Sequence, residues 1–84
     1  MSLKLYLVSC DFVEAGDHAS FKERLRVLNA TQVLANQWAL RTRHTAAELK
    51  ELLRGFLDDK DRILVTEIGE ERASRRAMID VAKL

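Results

Sequence analysis

The feature that most constrains the fold is the apolar run at residues 3–11, LKLYLVSCD, which ends on a carboxylate. Alternate side chains of a β-strand point to opposite faces, and from residue 5 onward both sets are largely apolar. A strand with one face in water would alternate apolar and polar residues, so this run predicts a central strand that is covered on both faces. Asp11 must then lie at the end of the sheet, because an unpaired carboxylate is not stable in an apolar interior.

The length of 84 residues predicts one domain with a small core. Domains of this size often gain stability from a disulfide, a metal or a partner subunit. Cys10 is the only cysteine, which excludes a disulfide within the chain and favours a small core residue over a reactive thiol. The net charge is +1, without the basic excess that is typical of nucleic-acid-binding domains. The chain shows neither a leader-like segment nor an apolar run of about 18 residues, so we expect a cytoplasmic protein without membrane contact.

Two segments have the apolar spacing of helices. Residues 18–29 predict a helix with Asp17 as its N-cap and with Asn29 ending it in a left-handed conformation. The apolar stripe of this helix is Phe21, Leu25 and Leu28. Thr45 and Glu48 have the spacing of a capping box and predict the start of a second helix. Its stripe is Leu49, Leu52, Leu53, Phe56 and Leu57, with Gly55 inside the helix.

The remaining segments predict three strands and a last helix. Residues 31–36 and 37–42 predict two strands that turn near residues 35–37, although one continuous bent strand fits the same pattern. Residues 62–68 are a second apolar, β-branched run, which predicts another central strand beside the first. Residues 70–84 have apolar side chains at helical spacing and predict a third helix.

The predicted order of elements is β-α-β-β-α-β, followed by a helix. Within the α+β class this order is typical of the ferredoxin-like arrangement, in which right-handed crossovers place both helices on one face of the sheet. We therefore expect a ferredoxin-like domain at residues 1–69 and an added C-terminal helix at residues 70–84, with Leu7 and Val65 as central core positions. The other face of the sheet needs a cover, either that helix or a second subunit.

Three segments resemble, in their order along the chain, the SinR-like proteins: residues 7–12 (LVSCDF), 37–42 (QWALRT) and 59–68 (DKDRILVTEI). That family is distantly related to the small CRISPR-associated nuclease that partners the spacer integrase, and to virulence-associated protein D. The resemblance implies a ferredoxin-like homodimer in which the aspartate that ends the first strand, here Asp11, is a ligand for a divalent metal near the two-fold axis. The chain differs from the family at Cys10, where an aromatic residue is usual.

Asp11 is the candidate catalytic and metal-binding residue. Mg²⁺ takes oxygen ligands and often keeps several waters, so two copies of Asp11 across a dimer axis would suit Mg²⁺ or Mn²⁺. Such an ion would activate a water for phosphodiester hydrolysis of RNA or DNA. The alternative role is structural, with the Asp11 carboxylate accepting hydrogen bonds from backbone N–H groups of the loop that follows.

Basic residues supply candidate contacts to phosphate. Arg41 and Arg43 share one face of a strand end, His44 follows them, and Arg24 and Arg26 lie on the first helix. Phosphate binding needs several such side chains, but a solvated surface balanced by the 13 acidic residues fits the same pattern. Two functions stay open: a homodimeric nucleic-acid-associated protein with metal-dependent cleavage, and a non-catalytic dimer that acts as a protein-interaction or structural module.

Overall fold

The computed structural model describes residues 3–13, 16, 18–70, 72, 73, 75, 77–79 and 84. The elements are β1 (Lys4–Asp11), α1 (Ala19–Val27), β2 (Thr31–Leu34), β3 (Gln37–Thr42), α2 (Ala46–Arg54) and β4 (Arg62–Glu67). The strands form one antiparallel sheet in the order β2-β3-β1-β4. The chain is therefore a small α+β protein, as its sequence predicts. Neither of these helices is long and apolar enough to cross a membrane.

Strand β1 is central, as predicted, because it pairs with β3 on one side and β4 on the other. Its even-numbered side chains face the helices, and Val8 among them is completely buried. Its odd-numbered side chains point to the opposite face, which we call the open face. Leu5 is buried there, whereas Leu7 is only half-buried.

The main core lies between the sheet and the two helices. Its buried residues are Tyr6, Val8, Cys10, Phe21, Leu25, Trp38, Leu40, Leu49 and Leu53. The rings of Phe21 and Trp38 meet edge to face, with their centroids 5.7 Å apart, a favourable arrangement for aromatic pairs. Because Trp38 and Tyr6 are about 95% buried in this core, neither ring is exposed for stacking on a nucleic-acid base.

The helix ends mostly follow the sequence prediction. Asn29 has a left-handed φ of 61° just beyond α1. The prediction of Asp17 as the N-cap is wrong, because α1 begins at Ala19 with His18 as its N-cap; Asp17 itself lies outside the described residues. The capping box of α2 is formed: the Thr45 hydroxyl accepts a hydrogen bond from Glu48 N at 3.2 Å, and the Glu48 carboxylate accepts one from Thr45 N at 2.9 Å. The placement of Gly55 inside this helix is wrong, because α2 ends at Arg54 and Gly55 is its C-cap.

The prediction of β4 as a central strand is wrong. It does lie beside β1, but β3 occupies the other side of β1 and leaves β4 at the edge of the sheet. Ile63 and Val65 face α2 and are half-buried, whereas Leu64 points to the open face and is 63% exposed. An apolar run does not determine how many neighbours a strand has, so periodicity alone does not distinguish this edge strand from a central one.

The third helix predicted at residues 70–84 is also wrong for the described part of that segment, none of which is helical. The backbone N–H of Met78 instead donates to the Val33 carbonyl oxygen of β2 at 2.8 Å. Ile79 and Leu84 pack on the open face against buried Leu5, Val33 and Ala39. Contacts with the sheet therefore decide the path of this tail and override its helical periodicity.

Candidate functional site

Asp11 is exposed at the end of β1, directly opposite Arg62 at the start of β4. Alternation along the strand places its side chain on the open face, as it does for Leu7 and Ser9. Residues that face each other in an antiparallel pair have Cβ atoms about 4.5–5.5 Å apart, so the carboxylate and the guanidinium share one patch. Within the described part of the chain, neither side chain forms a hydrogen bond or an ion pair.

A concavity of about 330 Å³, which we call the Asp11 concavity, surrounds this pair and is lined in part by apolar Ile63 and Leu64. Its polar lining includes Ser9, Asn36 and Gln37 from the adjoining strands and turn, together with Asp11 and Arg62. The turn is held in place by the Asn36 carbonyl, which accepts a hydrogen bond from Cys10 N at 3.0 Å. The concavity thus combines one carboxylate with hydroxyl, carboxamide and guanidinium donors that suit an oxyanion.

The loop after β1 is held by Asp61 rather than by Asp11. Asp61 Oδ1 accepts a hydrogen bond from Val13 N at 2.9 Å, and its Oδ2 accepts one from Asp58 N at 2.9 Å. These two backbone N–H groups hold the pKa of Asp61 below its ordinary value, with a smaller contribution from the charge of His18. No described backbone N–H donates to the Asp11 carboxylate, so the loop-capping role considered for Asp11 belongs to Asp61.

Cys10 is a core residue, as the sequence predicts. Its side chain is 4% exposed and packs on the helix face of the sheet. Burial, assisted by the charges of Asp61 and Asp11, raises the pKa of the Cys10 thiol to about 12. The thiol is therefore protonated at neutral pH, and it is neither a nucleophile nor a thiolate ligand for a metal.

Metal coordination within one protomer is limited to a few ligands. Among the described residues, no group of three or more His, Cys, Asp or Glu side chains could hold a metal ion. Asp11 is thus the one carboxylate in the described lining of its concavity, and a divalent ion there would take further oxygens from the Ser9, Asn36 or Gln37 side chains, from water, from a bound phosphate or from a second subunit. Mg²⁺ is often bound in this way, through one or two carboxylates plus substrate phosphates.

The predicted phosphate-binding residues at the end of β3 lie far from Asp11. Arg41 is exposed and faces Leu5, which is six positions before Asp11 on β1. At about 3.3 Å per residue this separation is roughly 20 Å. Arg43 and His44 follow at the same end of the sheet, and His44 Nδ1 lies 3.9 Å from a Glu48 carboxylate oxygen. None of these three residues shares the Asp11 concavity.

The two arginines on α1 are separated from both groups, because they belong to the helical layer. Arg26 forms a bidentate ion pair with Glu23, with its nitrogens 2.5 and 2.9 Å from the carboxylate oxygens. The Arg24 guanidinium lies over the ring of Phe56, 5.8 Å from the centroid. The predicted basic residues are therefore dispersed over three regions, and the arginine that does accompany Asp11 is Arg62.

In comparisons with known proteins, no family model, curated protein or solved structure matches the chain. The function must therefore be inferred from the geometry and chemistry of the Asp11 concavity. Sequence reasoning missed Arg62, although the pairing of the first and last strands would have indicated it once their register was known. It missed Asp61 because a carboxylate in a polar turn has no distinctive sequence pattern.

Proposed function

We propose that the chain is a small homodimeric, nucleic-acid-associated protein in which Asp11 and Arg62 bind a phosphodiester group together with a divalent cation. The observation that carries this proposal is that a carboxylate and a guanidinium, neither of them ion-paired with any described residue, lie opposite each other in one concavity. A guanidinium presents its N–H groups in a planar fork that matches two phosphate oxygens. The carboxylate supplies the hard oxygen ligand that Mg²⁺ and Mn²⁺ prefer.

The cation and the phosphate are expected to bind cooperatively. One carboxylate beside a positive guanidinium is a weak site for a free divalent ion, because the neighbouring charge repels it. A bound phosphate neutralises the charge of Arg62. It also supplies an oxygen ligand to the ion, in addition to the carboxylate of Asp11. When bound, the ion would supply Lewis-acid activation of water for phosphodiester hydrolysis. Asp11 would hold that ion, and Arg62 would orient the phosphate.

The fold that we propose for this function is ferredoxin-like. A ferredoxin-like arrangement is supported by the antiparallel sheet, whose order from the other edge is β4-β1-β3-β2, and by two helices that share one face. The resemblance of three segments to the SinR-like proteins agrees with this arrangement. It also agrees with the position of an aspartate at the end of the first strand.

The decisive experiment compares two exposed arginines at opposite ends of the sheet. Fluorescence anisotropy would measure the binding of short RNA and DNA oligonucleotides with and without millimolar Mg²⁺ or Mn²⁺. We expect Arg62→Ala to abolish binding and Arg41→Ala, the matched control, to retain it. Asp11→Asn should remove the metal dependence of binding and any metal-dependent cleavage of the oligonucleotide. Equal behaviour of the two arginine variants would overturn the proposal.

The second candidate is a non-catalytic interaction module. It is favoured by the dispersed arginines, by the net charge of +1 and by the exposure of Leu64 and Leu34 at 63% and 44%. Leu34 also borders an apolar concavity of about 300 Å³ with Leu7 and Ile68, and contiguous exposed apolar surface often marks a protein contact. If the wild-type protein binds no oligonucleotide in the anisotropy experiment but self-associates, this second function is the correct one.

A further inference from the structure

The two edges of the sheet differ in how they are protected against pairing with another strand. Strand β2 is short, its register with β3 shifts between Gln32 and Leu34, and its Val33 carbonyl is bonded by Met78 of the tail. Strand β4 keeps a regular register with β1 from Arg62 to Glu67 and contains no proline. Bulges and covering segments are devices that block edge pairing, and within the described residues they protect only the β2 edge.

The backbone hydrogen bonds identify which groups of β4 point outward. Ile68 N donates to the Leu5 carbonyl at 2.8 Å, whereas Cys10 N bonds on the opposite side of β1 to Asn36. Bonding alternates along antiparallel strands, so the odd residues of β1 bond to the even residues of β4. The odd residues of β4 therefore direct their N–H and C=O groups to the free edge: Ile63, Val65 and Glu67. No other described residue hydrogen-bonds to these outward groups.

We propose that β4 pairs antiparallel with β4 of a second copy of this chain, about a two-fold axis at Val65. Two identical antiparallel strands are related by an axis perpendicular to the sheet, so Val65 faces Val65, and Ile63 faces Glu67 of the other copy. All three outward residues of each strand then lie in hydrogen-bonded pairs. Each of the three pairs exchanges two hydrogen bonds, so the interface has about six. An axis at Leu64 would pair only Ile63 with Val65, for about four bonds.

The side chains suit this register. The exposed Leu64 comes opposite Thr66 of the second copy on the open face, and the half-buried Val65 side chains meet across the axis. Glu67 faces Ile63 rather than another acid, and its charge is partly compensated by Lys4, whose Nζ lies 3.6 Å from Glu67 Oε1. No like charges face each other within β4, where direct opposition would be destabilising. A second copy thus supplies a partner for every outward backbone group in a register that brings no like charges face to face.

The proposed interface adjoins the Asp11 concavity, which Ile63 and Leu64 of β4 also line, but the pairing of β4 does not depend on nucleic-acid binding. It does change the expected distance between the two Asp11 side chains of the dimer. Asp11 lies three positions beyond Val8, the residue of β1 that pairs with Val65. With strands about 4.8 Å apart and about 3.3 Å per residue, the two Asp11 side chains of the dimer lie roughly 25 Å apart. Each copy then has its own site on one continuous sheet, and the two carboxylates do not share an ion.

Amide hydrogen exchange by NMR tests the pairing without any substitution. Protein concentration is varied while sedimentation velocity follows the mass. The interface is small, so we expect a monomer–dimer equilibrium that shifts with concentration. Protection of the Ile63, Val65 and Glu67 amides should rise with the dimer fraction. The Leu64 and Thr66 amides, which bond to β1, serve as internal controls and should be protected at every concentration. A dimer that leaves the three outward amides unprotected, or a monomer at millimolar concentration, would overturn the proposal.

A matched pair of variants gives an independent test. Glu67→Pro removes the outward N–H, and an edge strand tolerates proline where that group faces solvent. Glu67→Ala removes the same side chain and the same ion pair but keeps the N–H. We expect Glu67→Pro to raise the dimer dissociation constant roughly tenfold or more, through two lost hydrogen bonds, and Glu67→Ala to change it much less. Equal dissociation constants in two folded variants, checked by circular dichroism, would contradict the proposed register.

Discussion

Asp61 and Val13 are joined by a hydrogen bond of 2.9 Å between a carboxylate oxygen and a backbone N–H, although 48 positions separate them in the chain. This bond links the loop that leaves β1 to the turn that enters β4. The strand ends beside it carry Asp11 and Arg62, which face each other in the sheet. Asp61 is therefore a positioning residue for the candidate site, because it holds together the two segments that supply its charged side chains.

The first prediction concerns the pH dependence of stability. The pKa of Asp61 is lowered from its ordinary value of 3.8 by two backbone N–H groups. A lowered folded-state pKa means that the stabilisation is complete above about pH 4 and is lost as pH falls through the folded value. Glu23 and Glu48 have lowered pKa values as well and contribute with the same sign. Melting temperatures between pH 2 and 6 should fall less steeply with acid for Asp61→Asn than for the wild type.

The control for this prediction is Asp59→Asn in the same turn. Asp59 accepts no hydrogen bond from any residue that the structure describes, so its substitution should leave the acid slope of the wild type unchanged. If Asp61→Asn and Asp59→Asn lose stability with acid at the same rate as the wild type, the hydrogen bonds of Asp61 do not stabilise the folded state.

The second prediction locates the core. Leu53 is completely buried between α2 and the sheet, and Leu53→Ala should cost about 2–5 kcal/mol of the unfolding free energy. The sequence suggests Leu7 and Val65 as central core positions, but both are half-buried. Val65→Ala should therefore cost less than Leu53→Ala. Urea denaturation of the variants measures these differences, with exposed Leu64→Ala as the control on the same strand.

The order of the stability losses in these variants is the result that tests the position of β4. A larger loss for Val65→Ala than for Leu53→Ala would mean that β4 is more deeply buried in the folded protein than the structure shows. A loss above about 2 kcal/mol for Leu64→Ala would point to the same conclusion, because substitutions at exposed positions usually change stability by less than about 0.5 kcal/mol.

The third prediction concerns the start of α2. The Thr45 hydroxyl satisfies the Glu48 N–H, which has no partner within the helix. Thr45→Ala should destabilise the protein by about 1 kcal/mol, and Thr45→Ser, which keeps the hydroxyl, should be close to wild type. Thermal or urea unfolding distinguishes the two. Equal stability of the alanine and serine variants would show that the capping hydrogen bond contributes nothing measurable.

These positions show which parts of the structure were predictable from sequence. The capping box at Thr45, the left-handed Asn29 and the buried stripe of Phe21 and Leu25 follow from local patterns, because the groups that interact are a few positions apart or share one stripe. The hydrogen bond from Met78 to Val33 and the pairing of Asp11 with Arg62 depend on register between distant segments. Local periodicity contains no information about that register, so the edge position of β4, the path of the tail and the role of Arg62 could not be predicted.

The last prediction tests whether each Asp11 binds its own ion. If two Asp11 carboxylates met at a dimer axis, their mutual repulsion would destabilise the apo dimer, and Asp11→Asn would tighten it. A separation of roughly 25 Å in the β4-paired dimer leaves them independent, because this distance exceeds the Debye length at physiological salt. Sedimentation without metal should therefore give the same dissociation constant for the wild type and for Asp11→Asn.

Calorimetric titration with Mn²⁺ complements this comparison. In the presence of an oligonucleotide we expect one ion to bind per protomer. Without a phosphate, Mn²⁺ should bind more weakly, because the charge of Arg62 repels a cation beside Asp11. A melting series should then show that Mn²⁺ raises the melting temperature of the wild-type complex in proportion to the logarithm of its concentration, but not that of Asp11→Asn. Asp59→Asn is the control acid and should respond as the wild type does. One ion per dimer, together with tighter association of Asp11→Asn, would instead require an axis at Asp11 and would rule out the pairing of β4.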